Sequence, residues 1–432
     1  MTLASVEYVH HPDAPPLFPP LAARAGDLIF TGGQMAIHPV DGVPPTIKGL
    51  PGYPWHGSDI ERQLGYLYGN LDQTLGQLSS SLHRTMKINS YHINPPDIDM
   101  ALRVRKKWFD AETPPPSTLV LARELPMHGP TVLIDMITLA DNAELDRKAV
   151  TMVKTDQLPQ VSIFGWTTFL RALRGGGFVF TAGRTPTTAR GVLPEIMPHP
   201  EFPYRYHQIR LQAEVVLNEL RDILADAGCS LADVVRAEVH LPDMSDLAEL
   251  DAVWGRFFPE DPPARVIVPL PLASPPYRLE VELIAVDPQG PYHKETVTTS
   301  DVSERLGNEP QAVRAGPYLF LSGQLATDFK CGVPPEAQPD PNFPFHSSKI
   351  KHQVEYIFGT VDRLCKAAGT SIENLVRRRV HYVDLNDLAE AENIWAERLG
   401  DRLPPTTSFR IEGSLPVPGC LVQYDLIAFI QG

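Results

Sequence analysis

The stretch Arg24–Gln34 reads RAGDLIFTGGQ, and two later stretches repeat its pattern: RGGGFVFTAGR at Arg174–Arg184 and RAGPYLFLSGQ at Arg314–Gln324. Their leading arginines lie 150 and 140 residues apart. Each stretch runs from a glycine turn through a short apolar run into a small-residue turn ending at Gly33, Gly183 or Gly323. Glycine permits backbone angles and close approaches that a Cβ forbids, so the pattern predicts turn, buried strand, turn. A repeat with this period decides the architecture before any single motif does.

The repetition continues downstream in the same order. A Pro-rich loop leads to an amphipathic helix starting at Ile60, Ile209 or Ile350, and the second of these places Ile209, Val216, Leu220, Ile223 and Leu224 on one stripe. Gly228 and Gly369 mark helix ends. A strand follows, clear in VVRAEVHLPDMSDL and LVRRRVHYVDLNDL and eroded in RTMKINSYHINPPDID. Val235, Ala237, Val239 and Leu241 alternate with Arg236, Glu238 and His240, the period-two pattern of a half-buried strand. A second helix is expected over about 99–108, 248–257 and 388–399. Pro-Pro and a final strand pair ending VLIDMITLA, LEVELIAV or VQYDLIAFI complete each unit. The reading is an α+β fold of three β-β-α-β-α-β-β domains, at 1–142, 143–291 and 292–432.

Composition sets the broad class. The 432 residues allow two to four domains at roughly 100–200 residues each, and 43% apolar with 21% charged residues is globular. The 44 prolines fall mainly before the first helices and in the Pro-Pro pairs, where they stiffen loops. A net charge of −14 argues against a polyanion-binding surface, so no nucleic-acid partner is expected. Four scattered cysteines without a C-x-x-C pair read as reduced thiols of a cytoplasmic protein. The start, MTLASVEYVHHPDAPP, lacks the charge and apolar run of a secretory signal, and no membrane span or membrane partner is expected. G-x-G-x-x-G after a strand, the P-loop, G-x-S-x-G and H-E-x-x-H are all missing, which predicts no cofactor and no serine-hydrolase chemistry.

The small-residue strand end, the helix ending in A-G, the V-x-V-x-D-(L/M)-x-D-L segment, P-P-A-R and the closing LEVELIAV together resemble the Rid/YjgF family of reactive-intermediate, or imine, deaminases. The second repeat carries the likeness most fully, and the first most weakly. The resemblance implies a chorismate-mutase-like fold and a trimeric assembly with clefts between subunits. Three covalently linked copies would then form a single-chain pseudotrimer closed on apolar sheet faces, for which a monomer suffices.

The resemblance further implies that the arginine of P-P-A-R holds a substrate carboxylate, since its planar guanidinium matches that geometry. A glutamate fifteen residues later positions water, and the turn glycine offers backbone N–H groups. In this chain the catalytic pair is Arg265 and Glu280, with Gly183 beside them. The other copies carry Ser117 with Leu133, and Thr407 with Gln423. Phe169 stands at the family's tyrosine position and Ile267 at its frequent cysteine, which makes that cleft more apolar.

Two histidine sets recur. His92, His240 and His381 lie at matching strand positions, either as separate residues on polar faces or as three imidazoles for a metal, with no metal the expected state. His56, His207 and His346 end Y-P-W-H, Y-R-Y-H and F-P-F-H, either as part of an aromatic staple before the helix or as acid–base groups. The functional expectation is an enzyme acting on an imine, enamine or related conjugated carboxylate in a specialised pathway, with one family-like cleft. The rival is a non-catalytic binding or scaffold protein for a small acid. Ribonuclease activity, attributed to some relatives, fits the acidic charge least.

Overall fold

The computed structural model describes residues 6–431 apart from 16–17, 49–58, 111, 153–159, 164–165, 189–190, 193–195, 198, 200, 203–207 and 274–276. The described strands build three large sheets of one plan. In the first, Glu7–Val9, Ala22–Ala25, Leu28–Thr31, Val132–Leu139, Thr85–His92 and Ser117–Leu121 lie side by side in that order. The second runs Lys148–Ala149, Ala172–Gly175, Phe178–Thr181, Glu280–Val286, Val234–His240 and Ala264–Val268. The third runs Lys294–Val297, Ala312–Ala315, Tyr318–Leu321, Val422–Phe429, Leu375–Tyr382 and Thr406–Arg410. Each unit thus gains one edge strand, before its glycine hairpin, that the sequence reading lacks.

Two helices cover one face of each sheet: α1 (Asp59–Gln77) and α2 (Ile98–Arg105), α3 (Gln208–Asp226) and α4 (Leu247–Phe257), α5 (Lys349–Ala367) and α6 (Leu388–Leu399). The long helices bury the stripes their spacing predicts, such as Ile350, Val354, Ile357, Val361 and Leu364 of α5. Gly228 and Gly369 end their helices at φ of 74° and 78°, where a side chain would be strained. In each unit the short helix joins the middle strand to a parallel edge strand, and the other pairings of the sheet are antiparallel.

The faces opposite the helices meet one another. At one end they bury an apolar cluster drawn from all three units, including Leu28, Phe30, Phe178, Phe180, Tyr318, Phe320 and Phe429. The middle of the interface departs from the apolar expectation. Arg236, Glu238 and His240 are buried, not solvated. Pairing registers match Lys87 with Arg236 and Arg377, Asn89 with Glu238 and Arg379, and Asp135 with Glu282 and Asp425.

These side chains close a cycle of ion pairs. Lys87 Nζ meets Glu282 at 2.9 Å. Arg236 bonds Asp425 at 2.6 Å. Arg379 Nε bonds Asp135 at 2.8 Å while its Nη1 bonds Glu238 at 2.7 Å. Arg377 also pairs with Asp425. Four cations, Lys87, Arg236, Arg377 and Arg379, thus face four carboxylates, Asp135, Glu238, Glu282 and Asp425. A buried charge is tolerable only when paired in this way.

Replacing Arg379 with Met leaves Asp135 and Glu238 buried without their guanidinium. Thermal or urea unfolding is expected to show a loss of about 3–5 kcal/mol, the usual cost of breaking a buried pair from one side. Unchanged stability would show that the network contributes nothing.

Candidate functional site

The three turn glycines join the units. Gly183 N–H donates to the Ser117 carbonyl at 3.0 Å, Gly323 to Arg265 at 2.9 Å and Gly33 to Thr406 at 3.0 Å. Each unit therefore brings its glycine and closing strand against its neighbour's edge strand. A Cβ on Gly183 would overlap the Glu280 carboxylate and press on Thr118 Oγ1, 2.7 Å away. A Cβ on Gly323 would meet Gln423 at 2.5 Å and Val266 at 3.6 Å, and one on Gly33 would meet Leu133 at 2.7 Å and Thr407 at 3.0 Å.

This geometry separates the expected catalytic pair. Glu280 lies on a closing strand and serves the interface with the first unit. Arg265 lies on an edge strand and serves the interface with the third. Gly183 is also reassigned, because its N–H is spent on Ser117 and not on a bound acid. Arg265 is in fact committed elsewhere. Its guanidinium bonds Asp251 at 2.6 Å and Glu309 at 2.9 Å and lies 5.1 Å from the Trp254 ring centre. Burial opposes its charge, but Glu309 and Asp251 outweigh burial and raise its pKa. Ile267 shares its sheet face and is buried in the second unit's core.

The interface holding Glu280 has an arginine that the sequence reading missed. Arg105, at the end of α2, donates from Nη1 to Ser117 Oγ at 2.6 Å, and its guanidinium carbon lies 5.9 Å from the Phe169 ring centre. Burial lowers its pKa to about 10. The signal was local. Arg105 stands three residues before Trp108, where the other units carry Asp251 before Trp254 and Glu392 before Trp395. Between the first two units the guanidinium has moved from edge strand to helix. In the third unit Arg378, on the middle strand, bonds Thr406 Oγ1 at 3.0 Å and lies 5.0 Å from the Trp395 ring centre.

Glu280 is the exception to the balanced charge network. Burial pushes its carboxyl up to about 8; Lys87 partly offsets this and the neighbouring Glu282 adds to it. Glu282 goes the other way. Burial raises it, but Lys87, Arg379 and Arg236 together hold it well below the usual carboxylate range. With the four cations of the cluster already matched, Lys87 and Arg184 do not outweigh the burial of Glu280, and its pKa stays raised.

The remaining candidates are placed as follows. Ser117 lies in the Glu280 interface, and Phe169 flanks Arg105. Thr407 is not the counterpart of Arg265: strand register matches Arg265 with Ser117 and Thr406, while Thr407 faces Gly33. His92 is likewise one residue out of step. Leu133, Glu280 and Gln423 pair with Tyr91, His240 and His381, so Tyr91 is the third member of that set. A one-residue offset turns a side chain to the other face, which rules out a three-imidazole site. Burial lowers His92 and His381 to about 4 and keeps them neutral, and it lowers His240 as well. His346 is exposed beside Phe343, and Phe345 is 98% exposed, so no aromatic staple reaches the core there. His56 and His207 lie outside the described residues.

The shifted Glu280 has a thermodynamic signature. Its folded pKa, about 8, exceeds the ordinary value of 4.5, so across that window the native state binds a proton that the unfolded chain has lost. Stability contributed by this group is complete below pH about 4.5 and is lost as pH rises to about 8. Glu280→Gln should flatten the fall in unfolding free energy between those limits, measured by urea titration at several pH values. An unchanged slope would mean that Glu280 titrates normally.

Comparison with known proteins bears on the second and third units. The family model described as endoribonuclease L-PSP matches residues 162–287 and 306–430. A RutC family protein of Pyrococcus horikoshii is 33% identical over 136 residues, covering 32% of this chain and 98% of that protein. One from Synechocystis is 32% identical over 119 residues, 27% of this chain and 85% of that protein. Among solved structures, RidA from an Antarctic Psychrobacter aligns at 26% identity and TM-score 0.26, covering 32% of this chain and 99% of that one. A chorismatase aligns at 15% identity and TM-score 0.41, covering 61% and 76%. Two matches to one family model in tandem, and relatives matched over nearly their full length, place this chain in the Rid/YjgF family.

Proposed function

We propose that the chain is a single-chain pseudotrimer that hydrolyses an imine or enamine of a small conjugated carboxylate at the interface between Glu280 and Ser117. The observation that carries this reading is the convergence of two groups on the Ser117–Thr118 edge: the Arg105 guanidinium on one side and the protonated Glu280 carboxyl on the other. Arg105 takes the substrate carboxylate in place of the Ser117 hydroxyl, as a planar fork suits two oxygens. Phe169 flanks the substrate's unsaturated carbons.

Glu280 then donates its proton to the imine nitrogen, or to the enamine carbon, making the adjacent carbon electrophilic. Water adds to that carbon and returns a proton to the Glu280 carboxylate. The carbinolamine collapses to a carbonyl compound and ammonia. A carboxyl with a pKa near 8 is suited to both transfers at neutral pH. Fusion of three units lets the other interfaces diverge, since each position is encoded separately.

The test compares Arg105→Met, Glu280→Gln and Arg265→Met in ammonia release from imino acids generated in place by an amino-acid oxidase. The first two variants should lose about 10²-fold or more in kcat/KM, the lower range for a general acid–base group. Arg265→Met, where it remains folded, should stay close to the parent. The reverse ranking would return the anchoring role to Arg265. A second reading, a small-acid binder without turnover, is favoured by the self-neutralised Arg265 interface; tight binding of keto acids with no ammonia release from the parent chain would support it.

A further inference from the structure

The first unit carries a feature separate from that interface. His11, Asp13 and His38 each present one donor atom within 4.8 Å of the other two. Asp13 Oδ2 lies 3.3 Å from His38 Nε2 and 4.0 Å from His11 Nδ1, and the two imidazole centres are 5.0 Å apart at 87°. His10 and His11 also line a cavity of about 310 Å³ between the N-terminal segment and α1, with Gln34, Tyr66 and Asn70 on its wall.

The local turn explains part of this arrangement but not the imidazole. Backbone N–H groups of Val40 and Asp41 donate to His38 Nδ1 at 3.4 and 3.3 Å. The third unit builds the same turn with Asp328, whose carboxylate accepts from Lys330 and Cys331 N–H at 2.9 Å. The correspondence follows from strand pairing, in which Gln34 and Gln324 bridge equivalent closing strands four residues earlier. An aspartate therefore suffices for the turn. Histidine adds a second ring nitrogen, and that nitrogen is the one beside Asp13.

We infer that His11, Asp13 and His38 form a binding site for a divalent cation of the zinc class at the mouth of this cavity. Two imidazoles and one carboxylate are a frequent donor set for zinc and related first-row ions, and they leave a position open for another ligand. With metal–ligand bonds of about 2.0–2.2 Å, donors on a tetrahedral ion stand about 3.3–3.6 Å apart. Asp13 and His38 already stand at that spacing, and His11, whose Nδ1 lies 4.0 Å from the Asp13 carboxylate and accepts the Asp13 backbone N–H, must move inward to join them. Binding at His38 Nε2 moves that ring's proton to Nδ1, so the Val40 and Asp41 N–H contacts to Nδ1 are given up and the Asp41 carboxylate, 3.3 Å from Nδ1, accepts the proton instead. Such an outer carboxylate fixes the imidazole tautomer and orients the ligand. Asp13 and Asp41 also supply the negative charge that offsets the ion.

The test uses the untagged full chain, stripped by chelator and titrated with zinc by calorimetry and with cobalt(II) by visible absorption. One zinc per chain is expected, with cobalt d–d bands of a site containing nitrogen ligands. Asp13→Asn and His38→Asn should each weaken binding at least tenfold and erase the bands. His38→Asn keeps a side-chain oxygen to accept the turn's N–H groups, so its loss would not reflect a broken turn. His346→Gln, at an exposed histidine elsewhere, should bind as the parent does. Absence of zinc uptake at micromolar free ion, or equal uptake by the two site variants, would overturn the proposal.

Discussion

The cycle of ion pairs from Lys87 to Glu282, Arg236 to Asp425 and Arg379 to Asp135 is the constraint on which the rest of the molecule depends. Each of these pairs spans two units, in addition to pairs within a unit such as Arg236–Glu238 and Arg377–Asp425. A Lys or Arg left unpaired in that position would cost several kcal/mol in desolvation. The network therefore discourages any arrangement in which the three sheets fail to face one another. An apolar interface would have tolerated sliding; directional, charge-assisted bonds specify one register. The turn glycines act at the edges of the same interface, where they let the backbone of one unit approach its neighbour closely.

The same network sets the chemistry available at its rim. Four cations and four carboxylates balance, so at the edge of the cluster Lys87 and Arg184 only partly offset the burial of Glu280. Its raised proton affinity comes first from burial in the assembly, and Glu282 on its own strand adds to it. Sequence divergence among the units then acts on a common frame. A guanidinium lies close to each edge strand, supplied by the α2 helix, by the edge strand itself or by the middle strand. Where Glu309 and Asp251 close on it, the interface is internally neutralised. In the first unit the guanidinium of Arg105 donates to the Ser117 hydroxyl.

Loops show the same independence. The turn after Gln34 and the turn after Gln324 have one backbone role but different side chains, His38 in one and Asp328 in the other. A homotrimer would have to accept each such change three times. In one chain a substitution alters a single interface or a single loop, and the other two remain to hold the fold.

Much of the fold was legible in the residues. The three glycine hairpins, the apolar stripes of the long helices and the period-two strands are local patterns, and local sterics and hydrophobic burial enforce them wherever they occur. The family resemblance pointed to Glu280, fifteen residues after Arg265. The partners were not legible. Tyr91, and not His92, matches His240 because the register of a strand depends on its neighbours, and one position reverses the face. Arg105 entered the Glu280 interface because the edge strand of one unit completes the site of the next, 175 residues away in sequence. The polar faces of the middle strands looked solvated because their counter-charges lie on other units. The sequence by itself determined the repeat and most elements of each unit, apart from the edge strand before each glycine hairpin, since these follow from short-range geometry. Only the tertiary structure decided which side chains share an interface and which of them keep a proton, since both depend on long-range burial and pairing.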